Sequence, residues 1–194
     1  IRTPLDPGRS ITIGHHTLWF PQPLIALNNP STSSGIPHSH VATDGSHYKD
    51  LSDCNTGYST LWYALPISRS SPSSPTPLPH PARAVRGTLT TADASALNSS
   101  PAEAYAILVA LRKTRICHLT IHSDSDSTIK RFQTLLSLTS RQLAALPNRA
   151  IWIQILLCYS VWTSHAGTIT FHHVHSHKTI ITAEQAANDA ADRH

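Results

Sequence analysis

The order of apolar and polar positions divides the chain into segments typical of strands and segments typical of helices. Residues 41–48 and 57–65 are rich in β-branched and aromatic side chains and are separated by the polar "KDLSDCNT", which predicts a β-hairpin. Further strands are predicted at 82–91, 116–123 and 168–177. Apolar positions at helical spacing predict helices at 99–113, 126–138, 148–162 and 183–194.

This order of elements, β β β α β α α β α, predicts the fold class. Three antiparallel strands come first, and strands that alternate with helices follow. Such an order is typical of an α/β (mixed α+β) domain with a five-stranded mixed sheet, in which the later strands are parallel and helices pack on the sheet.

Two of the predicted helices begin with residues that favour helix starts. In the first helix, Ser100 is predicted as the N-cap, Pro101 as the first helical residue and Glu103 as the partner of Ser100 in a capping box. In the last helix, Thr182 and Gln185 predict a second capping box.

The proline and serine content predicts how the chain is organised. Residues 1–38 are interpreted as a Pro/Ser-rich lead-in or linker, with a possible short packed piece at "HTLWFPQPLIAL". Residues 39–194 are predicted to form the domain, and the Ser/Pro tract at about 68–81 is predicted to loop out of it. Because the chain contains no methionine, we expect it to be a piece of a longer product.

Charge and cysteine content narrow the class of partner and compartment. The chain has 194 residues with 15 Lys and Arg against 11 Asp and Glu, and this excess of basic residues suits a polyanionic partner. The three cysteines (Cys54, Cys117 and Cys158) are scattered, which argues for a reducing compartment inside the cell, the cytoplasm or the nucleus. No apolar run reaches the roughly 18 residues that a membrane span needs, so no membrane partner is expected.

Four acids fall at predicted strand ends or helix starts: Asp44, Glu103, Asp124 and Asp192. Each has a simpler interpretation. Asp44 is also a candidate turn residue before Gly45, and Glu103 is also a candidate for the capping box. Asp124 is a candidate cap of the following helix, and Asp192 is a candidate solvated acid.

The predicted elements favour a shared site for these acids. Glu103 lies on one helical stripe with Ile107 and Ala110, and Asp124 ends an apolar strand. Carboxylates that are brought together repel each other unless they are protonated or bound to cations. Oxygen ligands of this kind suit Mg²⁺ or Mn²⁺ rather than zinc.

Five motifs in this order resemble the type-1 ribonuclease H family, and most of all the ribonuclease H domains attached to the reverse transcriptases of retroelements. They are "ATDGS", "SSPAEAYAILVAL", "LTIHSDSDSTI", "FHHVHSHKT" and "NDAADR", and the resemblance covers roughly residues 39–194. It implies a ribonuclease H-like fold and a metal-dependent endonuclease that hydrolyses the RNA strand of RNA–DNA hybrids. It further implies that the chain was fused to a reverse transcriptase in a retroelement polyprotein.

The resemblance also implies roles for individual residues. It implies two Mg²⁺ ions, with Mn²⁺ as a substitute, and Asp44 as the residue that bridges them. The implied metal-binding and catalytic acids are Asp44, Glu103, Asp124 and Asp192, and His177 is the implied loop histidine for proton transfer or product release. The implied nucleic-acid contacts are Gly45, Ser46, Ser100 and Asn188. In "NDAADR" the family pattern selects Asp192 over Asp189.

Departures from the family pattern favour a second hypothesis. The chain has Ser176 where the family usually has glycine, and Ser100 where it commonly has asparagine. Ser176 and the short length of the last helix beyond Asp192 favour a degenerate module that binds nucleic acid or supports an attached reverse transcriptase without cleavage. An integrase-like activity is disfavoured because the glutamate comes second among the acids. For His173, His175 and His177, strand alternation leaves a zinc site open as an alternative.

Overall fold

The computed structural model of the chain describes residues 10–13, 16–19, 38–47, 56–63, 81–90, 98–175 and 182–192. Its strands are β1 (Ser10–Ile13), β2 (His16–Trp19), β3 (His38–His47), β4 (Thr56–Tyr63), β5 (Pro81–Thr88), β6 (His118–Ser123) and β7 (Thr168–His173). Its helices are α1 (Ser99–Lys113), α2 (Asp126–Leu135), α3 (Ser140–Ala144), α4 (Arg149–Ser164) and α5 (Ala183–Asp192). No helix among these residues is long and apolar enough to cross a membrane.

The main sheet has five strands in the order β5-β4-β3-β6-β7. β3 pairs antiparallel with β4, and β4 pairs antiparallel with β5. β3 pairs parallel with β6, and β6 pairs parallel with β7. This confirms the predicted mixed sheet, with β3 at its centre between an antiparallel half and a parallel half.

The two faces of the sheet bury different sets of side chains. Successive residues of a strand point to opposite faces, and on β3 the fully buried Val41 and Ala42 belong to separate apolar clusters. Val41 lies in the larger cluster, which α1 and α4 complete with large aliphatic and aromatic side chains. Ala42 lies in a small cluster with Ala187 and Ala191 of α5. Because the α5 contacts are alanines, this helix approaches the sheet closely.

The start of α1 differs from the prediction. The helix begins at Ser99, and its N-cap is Asn98, whose side chain accepts a hydrogen bond from the backbone N–H of Ser100 at 3.0 Å. Ser100 is therefore a residue of the first turn and not the cap, so the predicted capping box with Glu103 is wrong. Asparagine and serine are similarly favourable N-caps, and the structure places the cap on Asn98, directly before the two serines. Glu103 is left without a capping role.

The predicted capping box of α5 is confirmed. The backbone N–H of Thr182 donates to Gln185 Oε1 at 3.0 Å, and the backbone N–H of Gln185 donates to Thr182 Oγ1 at 3.2 Å. This reciprocal pair fixes the start of the helix that carries Asp192 at its other end.

Several elements are additional to the predicted scheme or shorter than predicted. The β1–β2 pair is an antiparallel hairpin within the predicted lead-in, and β1 lies against α4. The short α3 starts with a Thr139–Gln142 capping box, which the sequence reading passed over. β7 ends at His173 rather than at residue 177, so strand alternation does not extend to His175. Most of the predicted Ser/Pro insertion, residues 68–80, lies outside the described residues, and the predicted domain boundary stays a prediction.

Candidate metal centre

The candidate site lies where the central parallel strands end. Thr43 on β3 pairs with Ser123 on β6, so the next residue on each strand, Asp44 and Asp124, emerges at the same edge of the sheet. The third acid, Glu103, comes from the second turn of α1, which packs across β3 at this point.

Close contact between β3 and α1 brings Glu103 into the site. A Cβ atom added to Gly45 would lie 2.6 Å from the carbonyl carbon of Ala102 and would also collide with the backbone nitrogen of Glu103. Only glycine allows the strand and the helix backbone to approach this closely. The nucleic-acid contact that the resemblance implies for Gly45 stays a prediction, and the structure adds this packing function.

The three carboxylates are mutually close. Asp44, Glu103 and Asp124 each place one carboxylate oxygen so that all three atoms lie within 4.8 Å of one another. Asp44 and Glu103 are 8% and 7% exposed, whereas Asp124 is partly exposed. The turn interpretation of Asp44 is excluded because the residue lies within β3. The cap interpretation of Asp124 is excluded because Ser125 is the N-cap of α2.

The pKa of Glu103 is raised by its burial and by the neighbouring acids. Burial, and then the charges of Asp44 and Asp124, raise the pKa of Glu103 to about 9. The backbone N–H of Gly45 donates a hydrogen bond to the carboxylate and opposes this shift. The second oxygen, Oε2, is buried and has no hydrogen-bond partner.

This donor set fits a divalent cation of the magnesium type. Mg²⁺ and Mn²⁺ prefer oxygen ligands, and the three side chains offer carboxylate oxygens only. A cation would neutralise the mutual repulsion and would give the unpartnered Glu103 Oε2 a ligand to bind. Among the described residues, this is the one group of three or more such side chains whose ligand atoms are already this close.

The fourth predicted acid lies at the margin of the site. Asp192 is exposed at the end of α5 and is not part of the group of three. Its charge nevertheless contributes to raising the pKa of Glu103, so the carboxylate lies within electrostatic range. Asp189 is not among the residues that shift this pKa.

The predicted nucleic-acid contacts fall in different environments. Ser100 is exposed in the first turn of α1, and Ser46 is partly exposed near the end of β3. The side chain of Asn188 is only 2% exposed, and its Oδ1 has no hydrogen-bond partner. The predicted contact of Asn188 with a nucleic acid stays a prediction. His177, the predicted loop histidine, lies outside the described residues.

Sequence reasoning missed one residue beside the site. Nε2 of His173 donates a hydrogen bond to the backbone carbonyl of Asp124 at 3.0 Å, which ties the end of β7 to the turn that carries this acid. His173 was considered only as one of three zinc ligands. The missed signal was the parallel register, in which His173 pairs with Ser123.

Comparisons with known proteins identify the fold. Neither a protein-family model nor a curated protein sequence matches the chain. Among solved structures, the chain is similar to a mutant of the Prototype Foamy Virus protease-reverse transcriptase, with a TM-score of 0.61, 18% identity, and coverage of 86% of this chain and 21% of that chain. It is also similar to the solution structure of the PFV ribonuclease H domain, with a TM-score of 0.54, 15% identity, and coverage of 80% and 89%.

A third similar structure is the foamy viral protease-reverse transcriptase in complex with RNA/DNA hybrid, with a TM-score of 0.55, 13% identity, and coverage of 86% of this chain and 22% of that chain. The chain thus spans about a fifth of the protease-reverse transcriptase chains that it matches. At these identities the similarity establishes the fold: the chain has the ribonuclease H fold, as the sequence motifs predicted.

Proposed function

We propose that this protein is a metal-dependent endonuclease that hydrolyses the RNA strand of RNA–DNA hybrids. The observation that carries the proposal is the convergence of Asp44, Glu103 and Asp124 at the edge of a ribonuclease H-like sheet. A fold by itself hosts many functions, so the argument depends on the chemistry of this edge.

The chain's own residues supply the ligands of the site. Asp44, Glu103 and Asp124 would hold Mg²⁺ or Mn²⁺, and Asp192 would complete the set from α5. A divalent cation in such a site activates a water molecule and stabilises the leaving oxygen of the phosphodiester. The hydrogen bond from His173 holds the Asp124 backbone in place, and the N–H of Gly45 orients the Glu103 carboxylate.

The surroundings of the site support the proposed substrate class. Selection of the RNA strand requires contacts to 2′-hydroxyl groups, for which Ser46 and Ser100 are suitably polar and accessible. One of the similar structures is a foamy viral protease-reverse transcriptase bound to an RNA/DNA hybrid. We propose further that the chain belongs to a retroelement polyprotein, works beside a reverse transcriptase, and acts inside the cell.

One experiment tests the proposal at the level of activity. The purified chain is incubated with Mg²⁺ and labelled RNA–DNA hybrid, double-stranded RNA or double-stranded DNA. We expect cleavage of the RNA strand of the hybrid alone, and a loss of at least a hundredfold in Asp44→Asn. Asp126→Asn is the matched control, because Asp126 is an exposed acid two residues from Asp124 that pairs with Lys130. Equal cleavage by wild type and Asp44→Asn would refute the assignment.

The position of Asp192 favours one alternative for which the same assay has a defined outcome. Because Asp192 is exposed and outside the group of three, the site could be a degenerate module that binds hybrid without cutting it. Tight hybrid binding with no cleavage in wild type would select this alternative. If the protein cleaves, Asp192→Asn should abolish activity and Asp189→Asn should not.

A further inference from the structure

A second cluster of metal-ligating side chains lies on the sheet face that α5 covers. It consists of His40 on β3, His122 on β6 and His172 on β7, with Glu184 in the first turn of α5 close by. None of these residues belongs to the acid cluster described above.

The register of the parallel strands explains why these histidines share a face. His122 pairs directly with His172 on β7 and with Ala42 on β3, so the three side chains point the same way. His40 lies two residues before Ala42 and therefore points to that same face. Ala42 packs against α5, and the charge of Glu184 at the start of that helix acts on His40 and His122.

The distances within the cluster are short. Nδ1 of His40 lies 3.3 Å from Nε2 of His122, and the two ring centroids are 5.6 Å apart. The ring of His172 lies 5.3 Å from that of His122. His122 is only 3% exposed, and its Nδ1 has no hydrogen-bond partner. The nitrogen that faces His40 is the other one, Nε2, and three imidazoles this close offer nitrogen ligands of the kind that zinc binds.

We propose that His40, His122 and His172 bind a transition-metal ion of the zinc class, with Glu184 as the neighbouring carboxylate. The site holds the start of α5 against the sheet. It is separate in place and in ligand chemistry from the oxygen-only acid cluster, which suits hard cations.

The geometry of tetrahedral zinc matches the observed spacing. Two nitrogens that each lie about 2.0–2.1 Å from a tetrahedral ion are about 3.3–3.4 Å from each other. The separation between His40 Nδ1 and His122 Nε2 is 3.3 Å, a distance at which the two nitrogens share a hydrogen bond in the metal-free protein. The two nitrogens are therefore already placed as two corners of a ligand tetrahedron.

His172 and Glu184 are the candidates for the remaining ligands. His172 is exposed, and its ring lies 5.3 Å from that of His122. Glu184 lies near enough for its charge to act on both His40 and His122, and a carboxylate beside an imidazole ligand is the usual partner in zinc sites.

Cobalt binding tests the proposal, because Co²⁺ in a tetrahedral nitrogen site absorbs strongly in the visible range and Co²⁺ among carboxylates and water does not. The titration uses the full chain carrying Asp44→Asn, so that the acid cluster contributes little. We expect one Co²⁺ per chain with the tetrahedral spectrum, displaced by Zn²⁺. In His172→Ala and His40→Gln the affinity should fall at least tenfold.

A double variant, His173→Ala with His175→Ala, is the matched control. These two histidines follow His172 in the sequence, and their rings lie 5.0 Å from each other. Unchanged binding in this control supports the proposal, whereas loss of binding would place the metal on that pair and overturn it. Absence of a tetrahedral spectrum, or wild-type affinity in both His172→Ala and His40→Gln, also overturns it.

A stability measurement guards against variants that simply misfold. The exposed His172 makes His172→Ala a mild change, and its melting temperature without metal should equal that of the parent chain. Added Zn²⁺ should raise the melting temperature of the parent and leave that of His172→Ala unchanged. An equal rise in both would contradict the assignment.

Discussion

At the scale of single residues, the chemistry of the candidate site depends most on Glu103. Its carboxyl group is buried beside two other acids, and one of its oxygens has no partner. The metal-free protein resolves this conflict by keeping Glu103 protonated, as its pKa of about 9 indicates. Binding of a cation must then displace this proton, so metal binding and pH are coupled.

This coupling predicts how the stability of the metal-free protein depends on pH. The folded-state pKa of Glu103 is about 9 and its ordinary value is 4.5, so the unfolded state loses the proton first as the pH rises. The contribution of Glu103 to the free energy of unfolding is fully present below pH 4.5. It decreases by up to about 1.4 kcal/mol per pH unit as the pH rises towards 9. Urea unfolding in chelator between pH 5 and 9 measures this slope.

Glu103→Gln is the decisive variant for that slope, because glutamine keeps the shape and cannot ionise. We expect the decline above pH 5 to become markedly shallower and the stability at pH 8 to exceed that of wild type. Asp126→Asn should retain the wild-type slope, since Asp126 is an exposed acid whose pKa its hydrogen bond to Lys130 lowers. An unchanged slope in Glu103→Gln would mean that Glu103 is ionised in the folded protein.

At the scale of elements, the N-cap of α1 is Asn98 and not the predicted Ser100. Asn98→Ala should destabilise the protein by about 0.5–2 kcal/mol, because the side chain caps the helix N-terminus. Ser100→Ala should have little effect, since Ser100 is exposed in the first turn. Thermal unfolding of the two variants measures the difference. A larger loss in Ser100→Ala would restore the capping box that the sequence predicted.

The contact between β3 and α1 gives a second prediction at this scale. Gly45→Ala should cost about 1–3 kcal/mol or more, because the new methyl group meets the rigid backbone of α1 at 2.6 Å. Gly57→Ala is the matched control on the adjacent strand, where the nearest atom is the Ser46 hydroxyl at 3.3 Å. Denaturant unfolding compares them. Equal stability would mean that α1 can move away, and the Glu103 carboxylate would then be less tightly placed.

The elements also show what the sequence could predict. The pattern of apolar and polar residues located the five strands of the main sheet and four of the five described helices, because their apolar spacing is visible in the sequence. It missed α3, whose five residues bury only Leu143 and so leave almost no periodic signal. It placed the cap of α1 wrongly, because Asn98, Ser99 and Ser100 are all favourable caps and only tertiary packing chooses among them.

The candidate site was predictable as a set of acids and not as a geometry. The motifs pointed to Asp44, Glu103 and Asp124, and the structure brings their carboxylates together. The burial of Asn188 and the exposure of Asp192 depend on how closely α5 packs on the sheet through its alanines. The local sequence pattern does not determine this distance. The histidine cluster went unnoticed because its members come from three strands that only the sheet register aligns.

At the scale of the whole molecule, β3 connects the two chemical centres. Asp44 at its carboxyl end faces the acid cluster, and His40, four residues earlier, faces the histidine cluster. α5 spans the same distance, with Glu184 near the histidines and Asp192 near the acids. A metal that fixes the start of α5 would therefore also restrict the position of Asp192 at the other end.

The predicted boundary after residue 38 can be tested on the same scale. Every strand of the main sheet and both clusters lie within 38–192, so a chain that begins at residue 38 should keep a cooperative unfolding transition. Some loss of stability is expected, because β1 lies against α4 and its removal uncovers part of that helix. Circular dichroism during thermal unfolding compares the full and shortened chains. If the shortened chain has no cooperative transition, the β1–β2 hairpin belongs to the domain, and the lead-in has to be redefined as part of its core.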